Sequence, residues 1–497
     1  MLKIKVPSRA QAVQIALLTA SLAASMPACA LAQDLPPAPP AQTESTEPQQ
    51  AVQPQPGVST GNDTANPVTP KPTTSNATDS SAARALALDA VYQVKGFDNP
   101  YYSFGQTVTF DDGHWRTALA HAGFGLVLGS INIFATPLNS AAPPQAAQSF
   151  WGQKPSFYDL SYFDLQWDAG KIGLHGGQFQ ASMLSNRSTY SPYQPNMFAT
   201  NRFAYFQALD DDKVELLAGL IGNGQDFLGI NVGGNAYSPL GPSAIIPYQV
   251  GLSAAPAAAP TFMIKNNWSS GLYNQLAIQR SLPPKPGVFV ANQEENPHGF
   301  SFTLPGAKAL FIDELGFRHF ASPRQKYVWG RLVAIYNTSK FKSYVNPSEE
   351  EKNWAGYLLA DKQLTQKGLD KASAAHGFYL GGTVMVAPAK VNAVSQYYEG
   401  RAYYKGPFDK RPLDQISLIV THQEFSHALV NNIDATTPTT NLLGIPGADT
   451  VTPTYTWFVS HGIFATFGGE YIDHPKVTRA PGEHSAYQFL MVLFYSF

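Results

Sequence analysis

The chain has 497 residues, of which 14% are charged and 12% aromatic, and its formal net charge is -2. Ordinary soluble domains carry about 25% charged residues, so this composition suits a surface that largely faces something other than water. The near-zero net charge excludes a nucleic-acid partner, whose phosphates demand a strongly basic face, and a single cysteine, Cys29, excludes a disulfide framework.

Residues 1–32 read as a cleavable secretory signal. Lys3, Lys5 and Arg9 form a positive end, an apolar run follows, and Ala30-Leu31-Ala32 offers a small-x-small cleavage site. Met26-Pro27-Ala28, ahead of Cys29, matches a lipidation box poorly. No later run reaches 18 consecutive apolar residues, so no transmembrane helix is expected. Residues 33–84 are dominated by Pro, Gln, Thr, Ser and Ala, and the first aromatic residue of the chain is Tyr92. Such a segment cannot bury enough apolar surface to offset its ordering entropy, so a disordered Pro-rich arm is expected, acting as a spacer or a periplasmic tether. The Ala- and Leu-rich stretch 81–91 predicts a turn or two of helix.

From residue 85 to 497 the texture is that of one domain. Segments of about ten residues alternate in polarity and are separated by Asn, Asp, Pro and Gly clusters. They fall near 125–134, 157–167, 171–183, 214–221, 274–280, 309–317, 327–336, 378–387, 391–403, 416–422, 455–467 and 487–497. In the last of these Tyr487, Phe489, Met491, Leu493, Tyr495 and Phe497 share one wholly apolar or aromatic face, which needs lipid or a second sheet to cover it. Short breaks at 168–171, 210–213 and 322–325 contrast with long ones at 186–201, 223–261, 342–353 and 431–453. That two-sided asymmetry predicts an all-β, transmembrane antiparallel β-barrel of about 16 strands, with 14 or 18 also compatible.

Catalytic constellations are absent: the chain has no Gly-x-Ser-x-Gly elbow, no His-Glu-x-x-His pair, no phosphate loop and no cysteine metal site. His422 and His427 lie five apart, which in a strand puts them on opposite faces and argues against a metal. Ser460 and His461 are adjacent, and opposite faces again weaken a hydrolase reading. No enzyme activity, cofactor or metal is therefore expected. Recognition of a sugar needs hydrogen-bonding side chains interleaved with aromatic platforms. The stretch 186–202 supplies Arg187, Tyr190, Tyr193 and Arg202 in that manner, and 225–248 supplies Asp226 and Tyr237.

Several motifs in shared order resemble the carbohydrate-selective porin (OprB) family of bacterial outer membranes. They are Lys171-Ile-Gly-Leu-His-Gly-Gly177, Arg202-Phe-Ala-Tyr-Phe-Gln207, Ala309-Leu-Phe-Ile-Asp-Glu-Leu-Gly-Phe-Arg318, Tyr404-Lys-Gly-Pro-Phe-Asp-Lys-Arg-Pro-Leu-Asp414 and Phe467-Gly-Gly-Glu-Tyr-Ile-Asp-His-Pro475, followed by the closing aromatic strand. The resemblance implies passive diffusion of glucose-like sugars through a lumen narrowed by arginines, carboxylates and aromatics. Arg187, Arg202 and Arg280 are then the expected lumenal donors, and Tyr190, Tyr193, Tyr205, Tyr237 and Trp268 the stacking surfaces. Asp226 and Glu314 are their carboxylate partners. The family's Gly-Arg pair near 217–221 is missing here. The expected partners are carbohydrate solutes, outer-membrane lipid and the barrel assembly machinery, which the resemblance implies reads Tyr495 and Phe497 as a C-terminal signal. A homo-oligomer is left open. The alternatives are an outer-membrane barrel enzyme such as a lipid hydrolase, or a non-selective structural barrel.

Overall fold

The alternation along each segment is realised as a ring of strands. In the computed structural model the described residues are 77–96, 103–140, 147–191, 195–228, 245–268, 271–370 and 373–497. The expected signal, most of the Pro-rich arm, Tyr193 and Tyr237 lie outside them. The strands are β1 (Phe124–Pro137), β2 (Ser156–Asp168), β3 (Gly177–Ser188), β4 (Met197–Leu209), β5 (Val214–Ile221), β6 (Ala259–Asn267), β7 (Leu272–Arg280), β8 (Ala309–His319) and β9 (Val328–Lys342). They continue as β10 (Glu350–Gln363), β11 (Gly377–Val386), β12 (Val394–Lys405), β13 (Gln415–Phe425), β14 (Leu443–Gly444), β15 (Gly447–Ser460), β16 (Ile463–Ile472), β17 (Thr478–Arg479) and β18 (Ala486–Ser496). Apart from the small β14–β17 ladder, they form a closed antiparallel barrel of 16 strands in which each pairs with its chain neighbours and β18 returns to β1.

One face of every strand is covered and the other open. In β18 Gln488, Leu490, Val492, Phe494 and Ser496 are buried, whereas Tyr487 is exposed and Phe489, Met491, Leu493 and Tyr495 are half-exposed. The covered face is the inner one, because chain segments folded inside the ring pack on it; the Gln488 amide, for example, donates to the Trp151 carbonyl at 2.9 Å. The outer face is an aliphatic band with aromatic pairs near its lower rim, such as Trp167–Phe179 and Phe179–Tyr205, with ring centroids 5.9 and 4.9 Å apart. That is the girdle pattern of a membrane-spanning barrel.

The two ends differ in connector length, although the break expected to be long at 342–353 is only the short connection 343–349. One end has the tight turns 210–213 and 461–462, and the other carries the long connections 222–258, 281–308 and 426–446. The short-turn end is covered on one side by α1 (Ala77–Tyr92) and α2 (Trp115–His121). α1 starts upstream of the expected 84/85 boundary and is longer than the turn or two predicted. Arg116 fixes this lid: its guanidinium, 3% exposed, donates to the carbonyls of Phe110 at 2.7 Å and Leu126 at 2.6 Å, and lies over the Trp115 and Phe104 rings. Burial draws its pKa down to about 10, still fully protonated at neutral pH.

Two expectations are corrected by local geometry. Half of the stretch 186–201, expected as a long external segment, is the ends of β3 and β4. A register shift there opposes Ser182–Met183 to Arg202 and Thr200, leaving Asn201 as an extra residue that breaks the alternation. The single strand expected at 455–467 is two strands, β15 and β16, joined at His461 and Gly462. Gly462 has φ +71°, and a Cβ there would sit 2.6 Å from the Ser496 carbonyl oxygen.

Candidate pore site

The described parts of the connection between β5 and β6, residues 222–228 and 245–258, fold into the barrel rather than away from it. Its first turn is the short helix α3 (Gly224–Phe227), and it returns through α4 (Ile245–Gln249). Neither could sit in the lumen without partners for its backbone groups, and the wall supplies them. Asn223, ahead of α3, donates its amide to Thr261 at 2.8 Å and Gln279 at 2.7 Å. Arg331 on β9 donates to the carbonyls of Phe227, at 3.0 Å, and Leu228, placing a cation at the carbonyl end of α3. Asn337, also on β9, donates to the Val250 carbonyl at 2.6 Å. Across the lumen, Gln249 makes paired bonds with the Val394 backbone of β12, at 2.7 and 2.9 Å. The segment thus bridges from β5 to β12. At Gly251, φ +102°, a Cβ would lie 2.3 Å from Ser281 Oγ and 2.6 Å from Asn337 Nδ2, so only glycine permits this close passage.

Arg202 on β4 completes the anchorage. It donates to Asp226 of α3 at 2.7 Å and to Gln180 on β3 at 3.2 Å. The two residues named from sequence as a donor and its carboxylate partner therefore meet, and both are lumenal. They are bonded to one another, however, and Arg202 is only 2% exposed. Glu314 on β8 is likewise inward and fully buried, accepting from the Tyr273 hydroxyl at 2.7 Å, which in turn accepts from Trp329 Nε1 at 3.0 Å.

The remaining expected site residues lie elsewhere. Arg187 is on the outer face, because β3 turns residues 178, 180, 182, 184 and 186 inward; it stands opposite Asp159, whose carboxylate accepts from Ser130 at 2.8 Å and Ser161 at 3.1 Å. Arg280 follows the outward series of β7 and donates to the carbonyls of Ser281 and Ala258 at the rim, at 3.4 and 3.2 Å. Tyr190 is packed into the inner apolar cluster and 5% exposed. Tyr205 belongs to the outer girdle, its hydroxyl on Gln207 at 2.5 Å. Trp268 lies in the turn between β6 and β7 and is 48% exposed. His427 opens the helix α5 (His427–Thr440) and is not in a strand, while His422 bonds Asp449 at 3.0 Å. Among the described residues no group of three His, Cys, Asp or Glu is placed to hold a metal ion. His461 packs edge-on against Phe110 and Phe458.

A lumenal network on β10 to β12 escaped the sequence reading. Arg401 is wholly buried and donates to Asp361 at 2.6 Å, Glu399 at 2.5 Å and Thr383 at 2.9 Å. Tyr403 donates to Asp361 at 3.0 Å and Tyr397 to Glu399 at 2.5 Å. Tyr403 also stacks on Tyr379, with centroids 4.9 Å apart and planes 13° off parallel. The signal was present: Tyr397, Glu399, Arg401, Tyr403 and Lys405 recur at period two, one polar-aromatic face of a strand.

The family model for carbohydrate-selective porins, OprB family, matches residues 162–485. Among solved structures, the high-pH structure of Pseudomonas putida OprB is similar with a TM-score of 0.67 at 16% identity, over 79% of this chain and 98% of that one. The low-pH structure of the same protein gives a TM-score of 0.49 at the same identity and coverage. A search of curated proteins finds no match to the chain.

Proposed function

The chain belongs to the OprB family of carbohydrate-selective porins, and from that premise we propose that it passes glucose-like sugars selectively through a lumen narrowed by the inward segment between β5 and β6. It is an outer-membrane porin, a channel rather than an enzyme, and sugar diffuses through it down its gradient. The observation that supports selectivity is the bridging of this segment from β4, through Arg202 and Asp226, to β12, through Gln249 and Val394. A segment pinned at both walls sets a fixed aperture. Many of its polar groups are engaged by the wall, which leaves a passing solute weak, exchangeable contacts, as conduction requires. Liposome swelling with sugars of graded size and stereochemistry tests the reading. Faster swelling with glucose-like sugars than with equally small non-sugar solutes is expected; uniform passage of all small solutes, or of none, overturns it.

A further inference from the structure

We infer that Lys95, carried into the barrel on the segment leading from α1, is a cation on the solute path and favours carboxylate-bearing sugars, the sugar acids, over neutral sugars of equal size. The inference rests on the porin reading above. The segment is stitched to the inner wall by two inward glutamines of β3. Gln178 accepts from the Lys95 amide and donates to the Gln93 carbonyl, both at 2.9 Å, and Gln180 donates to the Lys95 carbonyl at 2.8 Å. Gln180 is also the acceptor for Arg202, so Lys95 belongs to the same framework as the Arg202–Asp226 pair. On either side of it, Val94 is buried in the inner apolar cluster, and Gly96, φ +83°, passes so close to Phe206 that a Cβ would lie 2.8 Å from the ring.

The Lys95 side chain differs from the other lumenal cations. Arg202, Arg331 and Arg401 are at most 2% exposed and are held by carboxylates or carbonyls. Lys405 lies 5.4 Å from the Tyr379 ring centroid and Lys265 4.6 Å from that of Tyr273. Lys95 is half-buried, with no ion pair or side-chain hydrogen bond among the described residues. An ammonium inside a low-dielectric wall focuses its field along the lumen and raises the local concentration of anions. Because it stays hydrated on a flexible stem, it attracts a carboxylate without trapping it.

The test uses the full chain reconstituted in liposomes and planar bilayers. In Lys95→Gln, which keeps both backbone bonds to β3, the ratio of gluconate to glucose permeation should fall by about threefold or more. In Lys95→Cys, a negatively charged, membrane-impermeant thiosulfonate should lower the conductance, and the unsubstituted chain should not respond. An unchanged gluconate-to-glucose ratio, or a conductance indifferent to the reagent, overturns the inference while glucose selectivity persists. Loss of glucose selectivity in the unsubstituted chain instead removes the reading on which it rests.

Discussion

Arg202 Nη2 lies 2.7 Å from Asp226 Oδ2, and neither side chain is more than 2% exposed. The pair ties a wall strand to the inward segment. Removing one member of a buried pair leaves the other charge uncompensated, at a cost of about 3–5 kcal/mol. That cost falls on the docking of the segment, because the strand ladders of the wall do not use these side chains. Arg202→Ala should therefore alter sugar permeation and expose residues 222–258 to protease, while the barrel still migrates as folded on an unheated gel. Unchanged permeation would remove Arg202 from the site.

Arg401 answers to two carboxylates at once. In Arg401→Met, Asp361 and Glu399 face a buried space without their cation, and the barrel should lose about 3–5 kcal/mol in urea unfolding from lipid vesicles. The exposed Lys213–Asp210 pair in the turn after β4 is the control, since charges in free solvent are screened. Lys213→Ala should leave the unfolding curve in place.

Asp89 of α1 accepts from the Phe104 amide at 2.7 Å, and burial pushes its carboxyl up to about 6 from an ordinary 3.8, against the Ser103 and Phe104 hydrogen bonds. The docked carboxyl holds its proton at a higher pH than the undocked one. Docking of α1 is therefore fully favoured below about 3.8, and that advantage is lost as pH rises through about 6. Hydrogen exchange in α1, compared at each pH between Asp89→Asn and the unsubstituted chain, should show the variant better protected at pH 7 and the difference shrinking towards pH 4. Equal protection at both values would refute the assignment.

Trp268 and Tyr205 are placed outside the lumen. The double substitution Trp268→Ala with Tyr205→Ala should weaken seating in the membrane yet leave the relative permeation of different sugars unchanged. A change in that ranking would return one of them to the pore.

Phe497 donates its amide to the Leu128 carbonyl at 2.7 Å, and its own carbonyl accepts from Leu128 at 3.1 Å. We propose that Phe497 serves as an assembly signal: deleting it should reduce the fraction of chain that reaches the folded, membrane-inserted state, and a normal yield would refute the proposal.

The barrel was legible because period-two alternation survives in any strand whose two faces meet different media. It was lost where that condition fails. The bulge at Asn201 shifts the phase within β4, and Glu350 and Glu351 carry the start of β10 beyond the apolar band, where their charges read as loop. Site residues were harder, because side-chain direction flips with every residue. Arg202 and Arg187 look alike in sequence, yet one meets Asp226 inside and the other stands opposite Asp159 outside. Arg331 could not be recognised as an anchor without knowing that the segment after β5 turns inward to present its carbonyls.

The seam between β1 and β18 joins Gly129 to Ser496, residues from nearly opposite ends of the barrel sequence. A wall assembled strand by strand therefore carries two raw edges until its final element arrives, and both invite pairing with any other chain nearby. Closure waits on the most distant contact in the molecule, the kind that is slowest to form. Substitutions at the seam should therefore register in the yield of folded barrel before they register in transport.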